Sequence, residues 1–143
     1  MNLEFKRLLE DGKIIVFPGG KELVQKELAV AQSDLEDAQA GMKYRRYKWA
    51  TIQGYYAMFH AARALLYSRN YREKSHFAIS VALKALFVEE NKIEIRYVRD
   101  LLNAMRLREA ADYEADFSSE GAKAVIKTAE EFINTAGAVL EHR

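Results

Sequence analysis

The amino-acid sequence predicts an all-α fold, an antiparallel up-down bundle of four to five helices with a short N-terminal appendage. Three observations lead to this prediction. Apolar residues recur at helical spacing over most of the chain, the connections between helical segments are short, and strand-like character is confined to a few residues near the N-terminus. The chain has 143 residues, which is the length of one ordinary domain.

Residues 1–20 are predicted to form an N-terminal arm. Leu3 to Glu10 has helical character, and Ile14 to Phe17 has the composition of a short strand, although no partner strand is evident. The sequence Phe17-Pro18-Gly19-Gly20 contains the only proline and breaks the chain. We therefore place the helical bundle in residues 21–143 and expect the arm to pack on it.

The first bundle helix is predicted from Lys21 to Met42. Acidic residues such as Glu27 are expected mostly off its apolar face. The apolar residues of this helix, spaced 4, 3, 4, 3 and 4, are Val24, Leu28, Ala31, Leu35, Ala38 and Met42. Segment 43–48 is predicted to be a connection or a helix end, and it mixes cations with aromatic residues. That mixture suits phosphate contact and base stacking, and it is also typical of a solvated helix end.

The next segment, Lys48 to Leu66, is apolar almost all the way round, which predicts a central helix with neighbours on most sides. Tyr56, His60 and Arg63 are spaced 4 and 3, so they share one face of this helix. Two interpretations are open. Either these polar groups satisfy one another inside the bundle, or they face a cleft and take part in function.

Helices are also predicted from His76 to about Glu89, with Ser75 as the N-cap, and from about Lys92 to Ala111. Ser118 or Ser119 is expected to cap the last helix, which has the most regular apolar face in the chain. Arg72 lies shortly before the start of the first of these helices. Because a helix N-terminus is a natural anion site, Arg72 is a phosphate-binding candidate, with an ordinary charged loop as the alternative.

The composition excludes several classes of function. There is no cysteine, so the chain has no disulfide framework and no thiolate site. No signal peptide or membrane-spanning run is recognisable, and we expect a cytoplasmic protein without a membrane partner. The sequence also lacks metal-ligand spacings and a phosphate-binding glycine loop, so we expect neither a metal site nor a cofactor.

The net charge of +1 conceals an uneven distribution along the chain. Residues 1–42 carry a net charge of −3, residues 43–108 carry +9, and residues 109–143 carry −5. Such a distribution can create a positive surface for phosphate-bearing partners, or it can reflect acidic and basic helices that pair within the bundle.

A second polar concentration closes the predicted fifth helix. Arg108 and Asp112 are four residues apart and share a helix face, and Tyr113 follows directly. In the functional interpretation Arg108 binds a phosphate, Asp112 orients Arg108, and Tyr113 lines the pocket, since a guanidinium can contact phosphate oxygens in two places. The alternative is an ordinary surface ion pair. We expect Arg108 and His60 to meet beside a shared opening.

Four segments taken together, KWATIQGYYAMFHAARALL, YREKSHFAI, MRLREAADY and a final helix containing AEEFI, resemble the HEPN domain family, in particular its small stand-alone prokaryotic members. The resemblance runs from about Lys21 to the C-terminus. It implies a helical bundle that forms a homodimer. It also implies pairing with a minimal nucleotidyltransferase as a toxin–antitoxin system.

The resemblance also implies a site. Many HEPN proteins are metal-independent ribonucleases whose arginine is followed four to six residues later by a histidine. Arg108 matches that arginine, but Tyr113 stands at the histidine position. A neutral tyrosine hydroxyl is a poor general base, so intact ribonuclease chemistry is not expected from this motif.

Three functional hypotheses follow. The first is a protein that binds a nucleotide, an RNA phosphate or a nucleotidyltransferase partner through Arg108, Asp112, Tyr113, Tyr56 and Arg72. The second is a ribonuclease toxin that uses a displaced histidine, His60 or His76, with Arg63 or Arg108. The third is a non-catalytic dimeric interaction module. Whether Tyr113 is modified stays open at this point.

Overall fold

The structure is a computed structural model that describes residues 2–141. The elements in chain order are α1 (Leu3–Glu10), β1 (Ile14–Val16), a 3-10 turn (Gly20–Leu23), α2 (Val24–Lys43), α3 (Tyr47–Ser68), β2 (Tyr71–Glu73), α4 (His76–Leu83), a π-helical turn (Lys84–Val88), α5 (Arg96–Tyr113) and α6 (Ser119–Glu141). The predicted all-α bundle is confirmed, with α2, α3, α5 and α6 as its long helices.

Helix α3 is the centre of the bundle and packs against α2, α4, α5 and α6. Helices α2 and α3 are joined by three residues, so they are expected to be antiparallel. Their contacts confirm this direction. A Cβ added to Gly41 near the end of α2 would lie 3.4 Å from Ala50 near the start of α3. Near the other end, Glu27 contacts Arg63.

Helices α3 and α6 run in the same direction, as the up-down order requires for the second and fourth long helices. Gly54 lies against Val125, and four residues further along α3 the sulfur of Met58 lies 3.7 Å from the hydroxyl of Thr128. A Cβ at Gly54 would come within 2.8 Å of Val125 Cγ1. The glycine therefore allows the two helices to approach closely.

The N-terminal arm contains a strand whose partner was not apparent in the sequence. β1 pairs in antiparallel fashion with β2, with Ile14 opposite Glu73 and Val16 opposite Tyr71. The absence of a partner strand was thus the wrong expectation. β2 is only three residues long and lies in a charged segment, so it shows no apolar alternation. The pairing ties the arm to the segment that leads into α4.

The helix ends follow most of the predicted capping. The Ser75 and Ser118 hydroxyls each accept a hydrogen bond from a backbone N–H three residues on, at 3.2 and 2.9 Å. α5 begins at Arg96, later than the predicted Lys92. The reason is that the Lys92 N–H donates to the carbonyl of Phe87, which closes the preceding π-helical turn instead of starting a new helix.

None of the helices in the described part of the chain is both long and apolar enough to cross a membrane.

Candidate functional site: an arginine among tyrosines

Arg108 lies in the last turns of α5 and points at the central helix. Its guanidinium carbon lies 5.2, 5.6 and 5.9 Å from the ring centroids of Tyr55, Tyr56 and Tyr113. The residue is only 8% exposed. These distances fall within the range in which a cation is attracted to aromatic faces. We call Arg108, Tyr55, Tyr56, Tyr113 and His76 the arginine–tyrosine cluster.

The charge of Arg108 is not matched by a close carboxylate in the described residues. Its nearest ion-pair contact, from Nη1 to Asp112 Oδ2, measures 3.8 Å, at the outer limit of an ion pair. Its buried Nε has no hydrogen-bond partner within residues 2–141. A buried donor without a partner is costly, so this nitrogen is a candidate for bonding to a ligand or to water.

His76 joins this cluster from the start of α4. Its Nδ1 lies 2.7 Å from the hydroxyl of Tyr55, so one of these two groups donates a hydrogen bond to the other. Burial and the positive charge of Arg108 lower the pKa of His76 below its ordinary value of 6.5, and the opposing charge of Glu73 does not cancel this. His76 is therefore mainly neutral at neutral pH. Burial also raises the pKa of Tyr55 far above its ordinary value of 10.0, which keeps its hydroxyl protonated.

A second group, which we call the carboxylate network, comprises Glu27, His60, Arg63 and Glu73. The Arg63 guanidinium donates to both oxygens of Glu73, from Nε at 3.1 Å and Nη2 at 2.7 Å, and from Nη1 to Glu27 at 3.3 Å. His60 Nδ1 lies 3.2 Å from Glu27, and its Nε2 lies 3.8 Å from Asp34. The network thus connects α2, α3 and β2.

The sequence analysis placed Glu27 off the apolar face of α2, and this prediction was wrong. Glu27 is 8% exposed and lies on that face. Burial raises the pKa of Glu27, but the hydrogen bond and charge of His60 and the charge of Arg63 outweigh burial and lower it below 4.5. Arg63 and His60 thus contact carboxylates of α2 and β2, and both also line a cavity, so the two interpretations of these residues both stay open.

Two aromatic side chains connect the two groups. The Tyr56 ring, which faces Arg108, has its centroid 6.5 Å from that of His60. The Phe59 ring stacks on the His76 ring, with the two centroids 4.4 Å apart. The guanidinium carbon of Arg63 lies 4.6 Å from the centroid of the Phe59 ring. The charged groups are therefore separated by a layer of aromatic rings.

Two cavities open beside these groups. One, of about 270 Å³, is lined by Arg63, Arg72, Glu73, Lys74, Ser75 and His76. The other, of about 380 Å³, includes His60, Arg63 and Arg72 in its lining. Arg72 faces both cavities, whereas Arg108 lines neither. The predicted opening shared by Arg108 and His60 is thus not among these cavities, because the ring of Tyr56 stands between the two residues.

The structure brings together four of the residues singled out in the sequence: Arg108, Tyr113, Tyr56 and His76. Sequence reasoning missed Tyr55, Phe59 and Glu73. Tyr55 and Phe59 looked like ordinary core residues of an apolar helix, and nothing in their spacing indicates contact with α4 or α5. Within residues 2–141, no three His, Cys, Asp or Glu side chains form a group that could hold a metal ion.

Comparison with known proteins adds an independent observation. Residues 24–139 match the HEPN domain family. A protein of Methanocaldococcus jannaschii named "Putative toxin MJ0605" is 33% identical over 115 residues, which cover 80% of this chain and 86% of that protein. A second protein of the same organism, "Putative toxin MJ0142", is 25% identical over 136 residues, which cover 94% of this chain and 82% of that protein.

Proposed function

Since the chain belongs to the HEPN domain family, we propose that it is a toxin-like HEPN protein that binds a phosphate of RNA or of a nucleotide at the arginine–tyrosine cluster. Arg108 is the phosphate-binding residue. Tyr56 and the exposed Tyr113 offer ring faces to a base, and Asp112 orients the guanidinium. The names of the two relatives support the toxin class.

The observation that carries this proposal is the state of the Arg108 side chain. It is buried among three aromatic rings, its ion pair with Asp112 is long, and its Nε lacks a partner in the described residues. A guanidinium without a close carboxylate retains a net positive charge, which favours an anion as its ligand. A phosphate accepts two parallel hydrogen bonds from a guanidinium, which makes it the ligand that suits this geometry best.

The proposal is tested by fluorescence anisotropy, which measures the binding of a labelled RNA oligonucleotide and of a labelled nucleoside triphosphate at low and moderate salt. We expect Arg108→Gln to weaken binding by about tenfold or more, because a hydrogen bond to a charged group contributes about 1.5–3 kcal/mol. Arg106→Gln is the matched control, since Arg106 is an exposed cation on the same helix. Arg108→Lys keeps the charge but loses the planar fork, and it should bind with intermediate affinity.

Thermal unfolding of each variant separates loss of binding from loss of folding. Equal affinity in the Arg108→Gln and Arg106→Gln proteins, both folded, would overturn the phosphate-binding role of Arg108. A stability loss without an affinity change would favour the third hypothesis, an interaction module.

A specific observation favours ribonuclease activity as a second candidate function. His76 and Arg108 come from different helices, yet they share Tyr55 as a neighbour. A neutral imidazole can act as a general base toward a 2′-hydroxyl while a guanidinium stabilises the scissile phosphate. RNA cleavage in the presence of a chelator should then be lost in His76→Ala and retained in His60→Ala. Cleavage that survives the His76 change would exclude this mechanism.

As part of the same proposal, the chain forms a homodimer and has a minimal nucleotidyltransferase as its antitoxin partner. Its toxicity is tested by expressing the chain alone and together with such a nucleotidyltransferase from a neighbouring reading frame. Growth arrest that the partner relieves, with co-purification of the two proteins, is the expected result. Unimpaired growth of cells that contain the soluble chain alone would argue against the toxin class.

A further inference from the structure

A line of partly exposed side chains crosses the otherwise buried helix α3. In the described segment from Trp49 to Ser68, every residue is buried except five, which are spaced 4, 3, 4 and 3: Trp49, Gln53, Tyr56, His60 and Arg63. This spacing places them on one face of the helix. The line begins at the turn between α2 and α3 and passes Tyr56 of the arginine–tyrosine cluster.

The start of this line is a cavity of about 590 Å³ beside the α2–α3 turn, lined by Asp37, Ala40, Gly41, Tyr44, Arg46, Trp49 and Gln53. Two of the lining aromatic residues are largely open to solvent: Tyr44 is 71% exposed and Trp49 is 53% exposed. Large aromatic side chains usually bury most of their area, so two exposed rings at one cavity offer a stacking surface.

The turn is strongly cationic. Lys43, Arg45, Arg46 and Lys48 lie within six residues, and the sequence contains no acidic residue from position 38 to position 72. None of these four cations forms an ion pair with a carboxylate of the described residues. Their charge is therefore available to a polyanion. One of these cations also lies beside an exposed ring, since the Lys48 ammonium is 5.1 Å from the centroid of the Trp49 ring.

We propose that the α2–α3 turn is a nucleobase-binding pocket for single-stranded RNA, in which Tyr44 and Trp49 stack on a base and Arg45 and Arg46 contact its phosphates. The inference rests on RNA as the ligand class of the proposed function, and it assigns that RNA a contact surface separate from Arg108. Single-stranded RNA fits because its bases are free to stack on protein rings, whereas the bases of a duplex are not.

The dimensions fit one continuous strand. Trp49 and Tyr56 are seven residues apart on the same face of α3, which corresponds to about 10 Å along the helix axis. On the order of three stacked nucleotides at ~3.4 Å each span that distance. A carboxylate accepts hydrogen bonds from exocyclic amino groups, so Asp37 in the lining favours a base that carries such a group, which cytosine, adenine and guanine do and uracil does not.

The experiment uses the intact chain and its single tryptophan, Trp49, as the probe. A short oligocytidylate or oligoadenylate that stacks on Trp49 should quench its fluorescence saturably. Inorganic polyphosphate, which carries charge but no bases, should quench much less. Equal quenching by polyphosphate, or no quenching by any oligonucleotide at low salt, would overturn the pocket.

Two variants sharpen the test while leaving Trp49 in place. Tyr44→Ala should raise the oligonucleotide concentration for half-maximal quenching at least about fivefold, the lower range for losing one stacked base. Phe117→Ala, which removes a 46% exposed aromatic residue far along the sequence, should leave it unchanged. An equal effect of both changes would contradict stacking on Tyr44.

The test also separates this inference from the proposed function. In one outcome, RNA still quenches Trp49 fluorescence in Arg108→Gln, and the change has no effect on RNA affinity. This outcome supports the pocket and overturns the role of Arg108. RNA binding that depends on Arg108 but never quenches Trp49 supports the proposed function and overturns the pocket.

Discussion

Replacing Arg63 with methionine tests whether this residue is a structural connection between α2, α3 and β2. Arg63 makes two hydrogen bonds to Glu73, which is 5% exposed, and one to Glu27, which is 8% exposed. Methionine fills a similar volume without a charge, so Arg63→Met leaves a buried carboxylate at Glu73 without its partner. Removing one partner of a buried ion pair costs about 3–5 kcal/mol.

The expected loss lies at the lower end of that range, about 3 kcal/mol, because the Arg63 side chain is 21% exposed and water can partly solvate the carboxylate it leaves. Native domains have unfolding free energies of roughly 5–15 kcal/mol, so this loss is easily measured. Urea unfolding at neutral pH, followed by circular dichroism, is the assay. Adding Glu73→Gln to Arg63→Met should restore part of the stability, since the unpaired buried charge is then absent.

Arg69→Met is the matched control because Arg69 directly follows the last residue of α3 and also contacts both oxygens of one glutamate, Glu90. That pair is exposed, with side-chain exposures of 33% and 48%, so its loss should cost at most about 1 kcal/mol. Similar losses for Arg63→Met and Arg69→Met would refute the argument that burial sets the energy of the Arg63 contacts.

Three further predictions concern packing and pH. Gly54→Ala should destabilise the fold, because the added Cβ would lie 2.8 Å from a valine side chain; the cost is roughly 1–3 kcal/mol, reduced by the ~1 kcal/mol gained in helix propensity. Gly137→Ala in α6 has open space around its Cβ and should stabilise the fold. The urea unfolding midpoints of the two variants are compared. The pKa of Glu27 is lowered in the folded state, so its stabilising contribution is present above pH 4.5 and is lost as the pH falls through the folded-state pKa. The unfolding free energy of Glu27→Gln should therefore decrease less than that of the unchanged protein when the pH is lowered through this range. NMR titration of the His76 ring should give a pKa below 6.5. In Arg108→Gln this pKa should rise, because a nearby positive charge is removed. An unchanged pKa would show that Arg108 does not act on this imidazole.

The sequence predicts the helical elements well because their determinants are local. The apolar spacing of α6 and the capping serine Ser75 each act within a few residues, and the structure has the corresponding helix and cap. The strand pairing of β1 with β2 could not be predicted, since the two strands are separated by the whole of α2 and α3. A three-residue strand leaves no periodic signal, and only the tertiary fold brings its partner to it.

Most members of the arginine–tyrosine cluster were singled out in the sequence, but Tyr55 and the grouping of the members were not. Arg108 and Tyr113 are only five residues apart, at the end of one helix, so their closeness in sequence could be read directly. Whether His60 or His76 would join them depends on how α3, α4 and α5 are packed, which no local pattern records. The structure brings His76 to the cluster through Tyr55, while His60 turns toward Glu27 on α2.

The two groups of charged residues are connected through the backbone as well as through aromatic rings. Glu73 ends β2, and only two residues separate it from His76 at the start of α4. By binding both oxygens of Glu73, Arg63 fixes the end of β2, and Ser75 then caps α4 with His76 as its first residue. Arg63 thus lies beside the candidate site without facing Arg108, and its connection to His76 runs through Glu73 and the two residues that follow it.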